Sequence, residues 1–450
     1  MFRNGRRKKM KKAALHNLGC KVNSYETEAM QQLLEEAGFE IVNFEDTADV
    51  YIINTCSVTN VADRKSRQML HRAKAKNPNA VVVATGCYVQ AAGEKLKEDS
   101  AIDLVIGNNK KAELIPLLTE YMAGREPEAS IIDISATNEY ESLHISRQAD
   151  HTRAFIKVQD GCNQFCSYCI IPYTRGRVRS RRPEDVEEEV RLLAQKGYRE
   201  IVLTGIHLSS YGVDLTETPT DLLELTKRIH AIDGIERIRF GSLEPRIITE
   251  EFVKALAGME KICPHFHLSL QSGCDETLKR MNRHYTCDEY YSRCELLRKY
   301  FKNPAITTDV IVGFPGETPE EFAQTEAFLK KVHFYEMHVF KYSRRAGTRA
   351  DRMPDQVPEN IKTERSARLL KLEAEMSREF RGSFIGKETE VLLEEPVVID
   401  GTTYMTGHTK EYVKAAVSGR IDEKNSFVKG VLKEFLTDDI IYLAENNKLG

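Results

Sequence analysis

Between about Arg153 and Gly382 the sequence alternates short apolar runs with longer helical stretches, and this rhythm limits the possible folds more than any other feature. The runs are AFIKVQ, EIVLTG, RIRFGS, HFHLSLQ, ITTDVIVG and MHVFKY. Between them lie PEDVEEEVRLLAQKG, DLLELTKRIHAI, EEFVKALAGM, EYYSRCELLRKYF and PEEFAQTEAFLKKV. Such alternation argues for right-handed βαβ crossovers and a parallel sheet. Pro183 suits a first helical position, and Thr318-Pro319-Glu320-Glu321 combines an N-cap, an N1 proline and a capping-box glutamate. Six βα units fall short of the eight that close a barrel, so a partial, open βα barrel is predicted.

At 450 residues the chain exceeds the size of a usual single domain. Residues 12–122 carry AALHNLG, DVYIINT and AVVVATG as strand candidates, with SYETEAMQQLLEEAG and VADRKSRQMLHRAKAK as helices between them. This part is predicted to be an open parallel α/β sheet domain. Residues 123–150 are polar apart from IIDIS and read as a linker to the barrel domain of 151–382. Residues 383–450 hold VLLEEPVVID, TYMTGH, EYVKAAVSG, FVKGVLKEF and DIIYLAE, a pattern for a small all-β barrel of the oligonucleotide-binding type.

With 41% hydrophobic and 30% charged residues, wholesale disorder is excluded. No apolar run approaches the roughly 20 residues a membrane helix needs. The basic start, MFRNGRRKKMKK, is not followed by an apolar stretch, so it does not read as a secretory signal, and a cytoplasmic protein is expected. The net charge of −3 means that a polyanionic partner must be met by local basic patches.

Ten cysteines in such a chain read better as metal or redox ligands than as a disulfide framework. Cys162, Cys166 and Cys169 form C-x3-C-x2-C directly after the first barrel strand. Three close thiolates with no fourth Cys or suitably spaced His do not make a closed zinc site, but they suit a 4Fe–4S cluster with one open iron. A loop zinc site or three incidental buried thiols is the alternative. Cys20, Cys56 and Cys87 lie 36 and 31 residues apart, each just past a predicted strand. Strand ends of a parallel sheet share one edge, so the fold itself brings these thiols together for a second open cluster. Taken singly, each reads as core packing. Cys263, Cys274, Cys287 and Cys294 show no ligand spacing.

The run from Cys162 to Cys169 resembles the signature of radical S-adenosylmethionine (radical-SAM) enzymes, where the residue before the third cysteine is usually aromatic; here it is Tyr168. With two tri-cysteine sets and a terminal β-domain in this order, nearly the whole chain resembles the methylthiotransferases of that superfamily. LGCKVNSYETE, NTCSVTNVADRKSRQ, GCYVQ, CNQFCSYCIIPYTRG and LTGIHLSSYG resemble the subgroup acting on N6-threonylcarbamoyladenosine in tRNA. Lys21 follows the first cysteine, where the dimethylallyladenosine subgroup typically has Gln and the protein-modifying branch has Pro.

The resemblance implies two 4Fe–4S clusters and S-adenosylmethionine used twice, as methyl donor and as source of a 5′-deoxyadenosyl radical that takes hydrogen from adenine C2. It implies as partners the tRNA anticodon stem-loop, an external electron donor and a sulfur source, and a terminal barrel of the RNA-binding TRAM type. The ligand pocket of such a barrel sits at its strand ends. There the candidate cofactor contacts are Tyr168, Gly205 with Ile206 and His207, Ser242 and Glu244, Gln271, Asp309, and Gly313 of the GFPGET loop. GFPGET also reads as a tight turn with a helix cap. Arg175, Arg177 and Arg179 after the cluster loop, and Arg64 and Arg67 on the helix after Cys56, are candidate phosphate contacts, with solvated charged faces as the plainer reading. The alternatives are the dimethylallyladenosine branch, the ribosomal-protein branch, and a non-catalytic iron–sulfur RNA-binding protein.

Overall fold

The structure is a computed structural model that describes residues 10–125, 131–145 and 152–445. Most of the basic start and, of the expected linker, residues 126–130 and 146–150 lie outside these residues.

The first part is a parallel sheet of β1 (Lys12–Asn17), β2 (Glu40–Ile41), β3 (Val50–Thr55), β4 (Val81–Gly86) and β5 (Leu104–Ile106), in the order β2-β1-β3-β4-β5. The central strands are apolar on both faces because helices cover both. Ala14, Tyr51 and Ile53 pack with Leu70 on one side, and Ala13, Val50 and Ile52 pack with Met30 and Leu34 on the other. Helices α1 (Lys21–Glu36), α2 (Asn60–Lys76) and α3 (Cys87–Ala92) follow β1, β3 and β4, so their N-termini share the carboxyl edge of the sheet. All three cysteines of the first set are on that edge.

The expected six-stranded barrel is formed by β6 (Arg153–Asp160), β8 (Glu200–Gly205), β9 (Arg237–Phe240), β10 (His265–His267), β11 (Ala305–Val312) and β12 (Glu336–Lys341). A short antiparallel strand, β7 (Arg179–Ser180), edges β6, and isolated bridges carry the sheet from β9 towards β10. Along β6, Ala154, Ile156 and Val158 face the helices, which leaves Lys157 and Gln159 on the inner side. The last part is a closed barrel of β13 (Glu388–Ile399), β14 (Thr402–His408), β15 (Lys414–Ser418), β16 (Phe427–Phe435) and β17 (Ile441–Glu445). It seats on the amino ends of the large barrel's strands. Arg237 donates to the carbonyls of His408 and Glu390, and Arg239 to that of Lys410.

The described stretch 131–145 packs as a seam between the first two parts. Ile134, Leu143 and Ile145 are buried, and the Tyr140 hydroxyl donates to the Lys157 carbonyl at 2.8 Å.

Candidate active site

The first cysteine set is assembled by the sheet edge. Asn23 Nδ2 donates to the carbonyls of Leu18 and Thr55, which ties the Cys20 turn to the end of β3. Thr55 Oγ1 donates to the Thr85 carbonyl, which ties β3 to β4. Gly86 turns the chain into α3 at φ +97, where a Cβ would lie 2.5 Å from the Thr55 oxygen; only glycine lets Cys87 approach so closely. A Cβ at Gly19 would likewise sit 3.2 Å from Cys56 Sγ. Each thiol is close enough to influence the others: Cys20 and Cys87 both act on Cys56, and Cys87 on Cys20. Cys20 is solvent-exposed yet walled by protein, as befits the side of a crevice, and that surrounding protein raises its thiol pKa. Burial pushes Cys56 up to about 11.

The second set lies on a loop clamped from several directions. Gly161, at φ +71, has the Arg177 carbonyl oxygen 1.8 Å from where a Cβ would be. Ser167 N donates to the Met281 carbonyl, Ala350 N to the Ser167 carbonyl, and Asn282 Nδ2 to the carbonyls of Gln164 and Phe165. Phe165 takes φ +49, with its ring under the Arg177 guanidinium. Burial pushes the Cys162 thiol to about 11 and raises Cys169 further. Cys20, Cys56, Cys162 and Cys169 are therefore neutral thiols when empty, and a metal centre binding them releases protons.

Two arginines that spacing alone did not single out for the sulfurs reach them. Arg283 Nη1 donates to Cys166 Sγ at 3.3 Å, and Arg175 Nε donates to Cys87 Sγ at 3.2 Å. Arg175 ends the five-residue helix Ile171–Arg175 that starts two residues after Cys169. A helix of that length is about 7.5 Å long. The two thiol sets thus border one seam. Beside it, Glu26 and Asp160 are buried with Lys111, Lys157, Arg175 and Arg179, four cations facing two carboxylates. Burial alone raises Glu26, but Arg175, Lys111 and Lys157 outweigh it and hold the carboxyl well below the usual range. Among the described residues, Arg179 Nε and Nη2 have no hydrogen-bond partner. Surplus buried positive charge beside three thiols is what an anionic thiolate cluster balances.

The expected contacts are distributed as follows. Tyr168 packs edge-on against Phe314 of GFPGET, with centroids 6.4 Å apart. Gly205 leaves room for Gln159, whose Oε1 accepts from His207 N. Burial, with Arg283 and Arg246 adding, lowers His207 to about 4, so this imidazole is neutral. Ser242 is exposed, whereas Glu244 is buried and accepts from Arg246 Nε at 2.9 Å. Gln271 takes φ +76 and bridges to Val310. Gly313 is explained by packing: a Cβ there would lie 2.3 Å from Lys362 Cγ, and its N–H donates to Glu317. Asp309 lies midway along β11, 3.3 Å from His267 Nε2 and opposite His338. The donor atoms of these three side chains lie within 4.8 Å of one another.

The basic run is corrected by burial. Arg175 and Arg179 are fully buried in the charge cluster, so neither is a surface contact for phosphate; Arg177 is exposed. Arg64 and Arg67 are exposed on α2, with Arg67 donating to the Tyr88 hydroxyl. Lys21, the first residue of α1, is exposed in the crevice, and the charges acting on it are those of Arg153, Arg239, Asp309 and Cys20.

A partial βα barrel carrying a C-x3-C-x2-C loop defines a radical-SAM protein. Residues 156–329 match the Radical SAM superfamily, and residues 12–107 match the family described as "Uncharacterized protein family UPF0004". The chain is 42% identical to the threonylcarbamoyladenosine tRNA methylthiotransferase MtaB of Bacillus subtilis, over 93% of each chain. It is 43% identical to the protein of that name from Aquifex aeolicus, over 85% of this chain and 93% of that one. It is also 40% identical to a tRNA-2-methylthio-N(6)-dimethylallyladenosine synthase of Thermoanaerobacter, over 84% and 81%. The chain belongs to the radical-SAM tRNA methylthiotransferase family. Among solved structures it shares a fold with the methyltransferase TsrM of Kitasatospora setae (TM-score 0.57, 18% identity, 76% of this chain and 77% of that one).

Proposed function

We propose that this protein converts N6-threonylcarbamoyladenosine beside the tRNA anticodon into its 2-methylthio derivative. The observation that carries the reading is the meeting of two tri-thiol sets at one seam, in a chain so similar to MtaB. When bound, two 4Fe–4S clusters and S-adenosylmethionine would supply the radical and sulfur-transfer chemistry that an unactivated C–H bond requires. Cys162, Cys166 and Cys169 would hold the barrel cluster, and Cys20, Cys56 and Cys87 the auxiliary one. Three protein ligands leave each centre an open position.

This chain's own residues position and insulate. Arg283 and Arg175 each donate to a ligand sulfur and offset its negative charge. Neutral His207, fixed through Nδ1 by Ser210 Oγ at 2.6 Å, leaves Nε2 free at the barrel mouth. Exposed Arg64, Lys65, Arg67 and Arg177 offer a phosphate path along the seam, and the terminal barrel is a second RNA surface. An external electron donor and a sulfur source complete the reaction in the cytoplasm. Among the described residues no helix is long and apolar enough to cross a membrane.

The test is nucleoside mass spectrometry of tRNA from cells lacking the protein. Loss of the methylthio derivative of threonylcarbamoyladenosine is expected. Loss of the dimethylallyl one instead moves the chain to the sister activity, and an unchanged profile rejects both.

A further inference from the structure

We propose that Lys21 and His338 form the subsite that binds the carboxylate of the threonylcarbamoyl group, and so select this substrate over an apolar N6 substituent. The inference rests on the functional reading above.

Its basis is a wall of polar groups inside the barrel that the fold does not need. Along β11, Thr308, Val310 and Val312 are buried on the outer side, whereas Asp309 and Ile311 are only partly buried on the inner side. Register places His338 beside Asp309 and Phe340 beside Ile311, both exposed. His267 stacks on His338 from β10, with centroids 5.8 Å apart. Lys21 enters from the other domain as the first residue of α1, which packs against β6 and β8 of the barrel, and the charges of Arg153 on β6, Arg239 on β9 and Asp309 on β11 act on it. Its backbone continues directly from Cys20, so whatever Lys21 binds lies next to the auxiliary thiols.

The charges here are unevenly answered. Arg153 pairs with Glu394 and Arg239 with Glu200. Among the described residues, Lys21 makes no hydrogen bond or ion pair, and the His338 ring nitrogens make none either. A chamber for an apolar group gains nothing from a free ammonium and a free imidazole, which lose water when it closes. A threonylcarbamoyl group carries one carboxylate and one hydroxyl. The carboxylate suits Lys21 and His338 as charge-assisted acceptor, the hydroxyl suits Asp309, and Phe340 offers a ring face to the base. Polar groups left unpaired by the wrong substrate are a strong source of discrimination.

The experiment compares anticodon stem-loops carrying threonylcarbamoyladenosine, its carboxamide analogue, or dimethylallyladenosine, on anaerobically reconstituted full-length protein. Affinity, KM, kcat and iron per chain are read. The wild type is expected to favour the carboxylate over the carboxamide on the order of 10- to 100-fold in affinity and KM. Lys21→Gln removes that preference with iron content kept, and Lys21→Arg retains most of it. His338→Gln, on β12, which carries no cysteine, lowers the preference and keeps the test open if Lys21→Gln fails to hold iron. A preference that survives both glutamine variants overturns the subsite while leaving the function intact. Wild-type turnover of only the dimethylallyl stem-loop overturns the function, and the subsite with it.

Discussion

Arg175 shows what a sequence hides at the scale of one residue. In the run Arg175, Arg177, Arg179 nothing distinguishes a solvated guanidinium from one buried against Glu26, a residue 149 positions away. Only Arg177 kept the exposure that the charge run implied. The cysteines were legible for the opposite reason. C-x3-C-x2-C is a local geometry, and the other three sit at equivalent strand ends that topology alone brings together. Arg175→Met therefore leaves Glu26 without its bidentate partner, with only Lys111 and Lys157, and leaves Cys87 with only the longer contact from Asn108 Nδ2 at 3.8 Å. A loss of about 3–5 kcal/mol is expected from removing one partner of a buried pair, read as a lowered unfolding midpoint with less iron at the auxiliary site. Arg177→Ala has the contrary signature. Its stability stays within about 1 kcal/mol, the worth of its contact with Phe165. Its RNA affinity falls with a salt slope shallower by about one, checked by binding titrations at several salt concentrations.

At the scale of elements, the six barrel strands were legible because each is a short apolar run between amphipathic helices. What escaped was structure too short for a period, such as β7 with two residues and the five-residue helix that carries Arg175 towards Cys87. The polar stretch after Met122 read as a linker because its apolar residues are sparse, yet Ile134, Leu143 and Ile145 are buried in the seam. The cluster loop depends on an element-level detail, the strand-to-loop turn at Gly161. Alanine there suffers both a positive φ and an overlap with the Arg177 oxygen, so the loop must leave its clamp. Gly161→Ala is expected to lose the barrel cluster while the auxiliary one remains, roughly halving iron per chain in the two-cluster reading. Gly38→Ala is the control, since it shares the positive φ but has nothing within 4 Å. It is expected to cost about 1 kcal/mol and keep its iron.

For the whole molecule, the three parts are joined through carboxylates that are buried or, at Glu394, partly buried. Glu26 fastens the first domain to the barrel through Lys157 and Arg175, which Asp160 shares from the barrel side, and Glu200 and Glu394 lie where the terminal barrel seats. Burial alone would raise all four. Their partners reverse it: Arg175 for Glu26, Lys157 for Asp160, Arg239 for Glu200 and His408 for Glu394 hold each below its ordinary range. A carboxyl depressed in the folded state binds protons more readily once unfolded, so its contribution is full above the ordinary carboxylate range. It is lost as pH falls through that range towards the depressed value. Stability is thus expected to be flat near neutrality and to drop steeply from about pH 5 downwards. Because these groups sit at the seams, the loss has a spatial order. Acid loosens the contacts between parts before the apolar cores within them, and one unfolding transition at pH 7 separates into more than one in acid. Glu26→Gln separates this from general acid sensitivity. It lowers the neutral-pH midpoint, because Arg175 and Lys157 lose their counter-charge, and it flattens the acid limb, because one of the titrating groups has gone. Calorimetric scans across the pH series on wild type and Glu26→Gln decide it: an acid limb of equal steepness in both proteins removes Glu26 from the account.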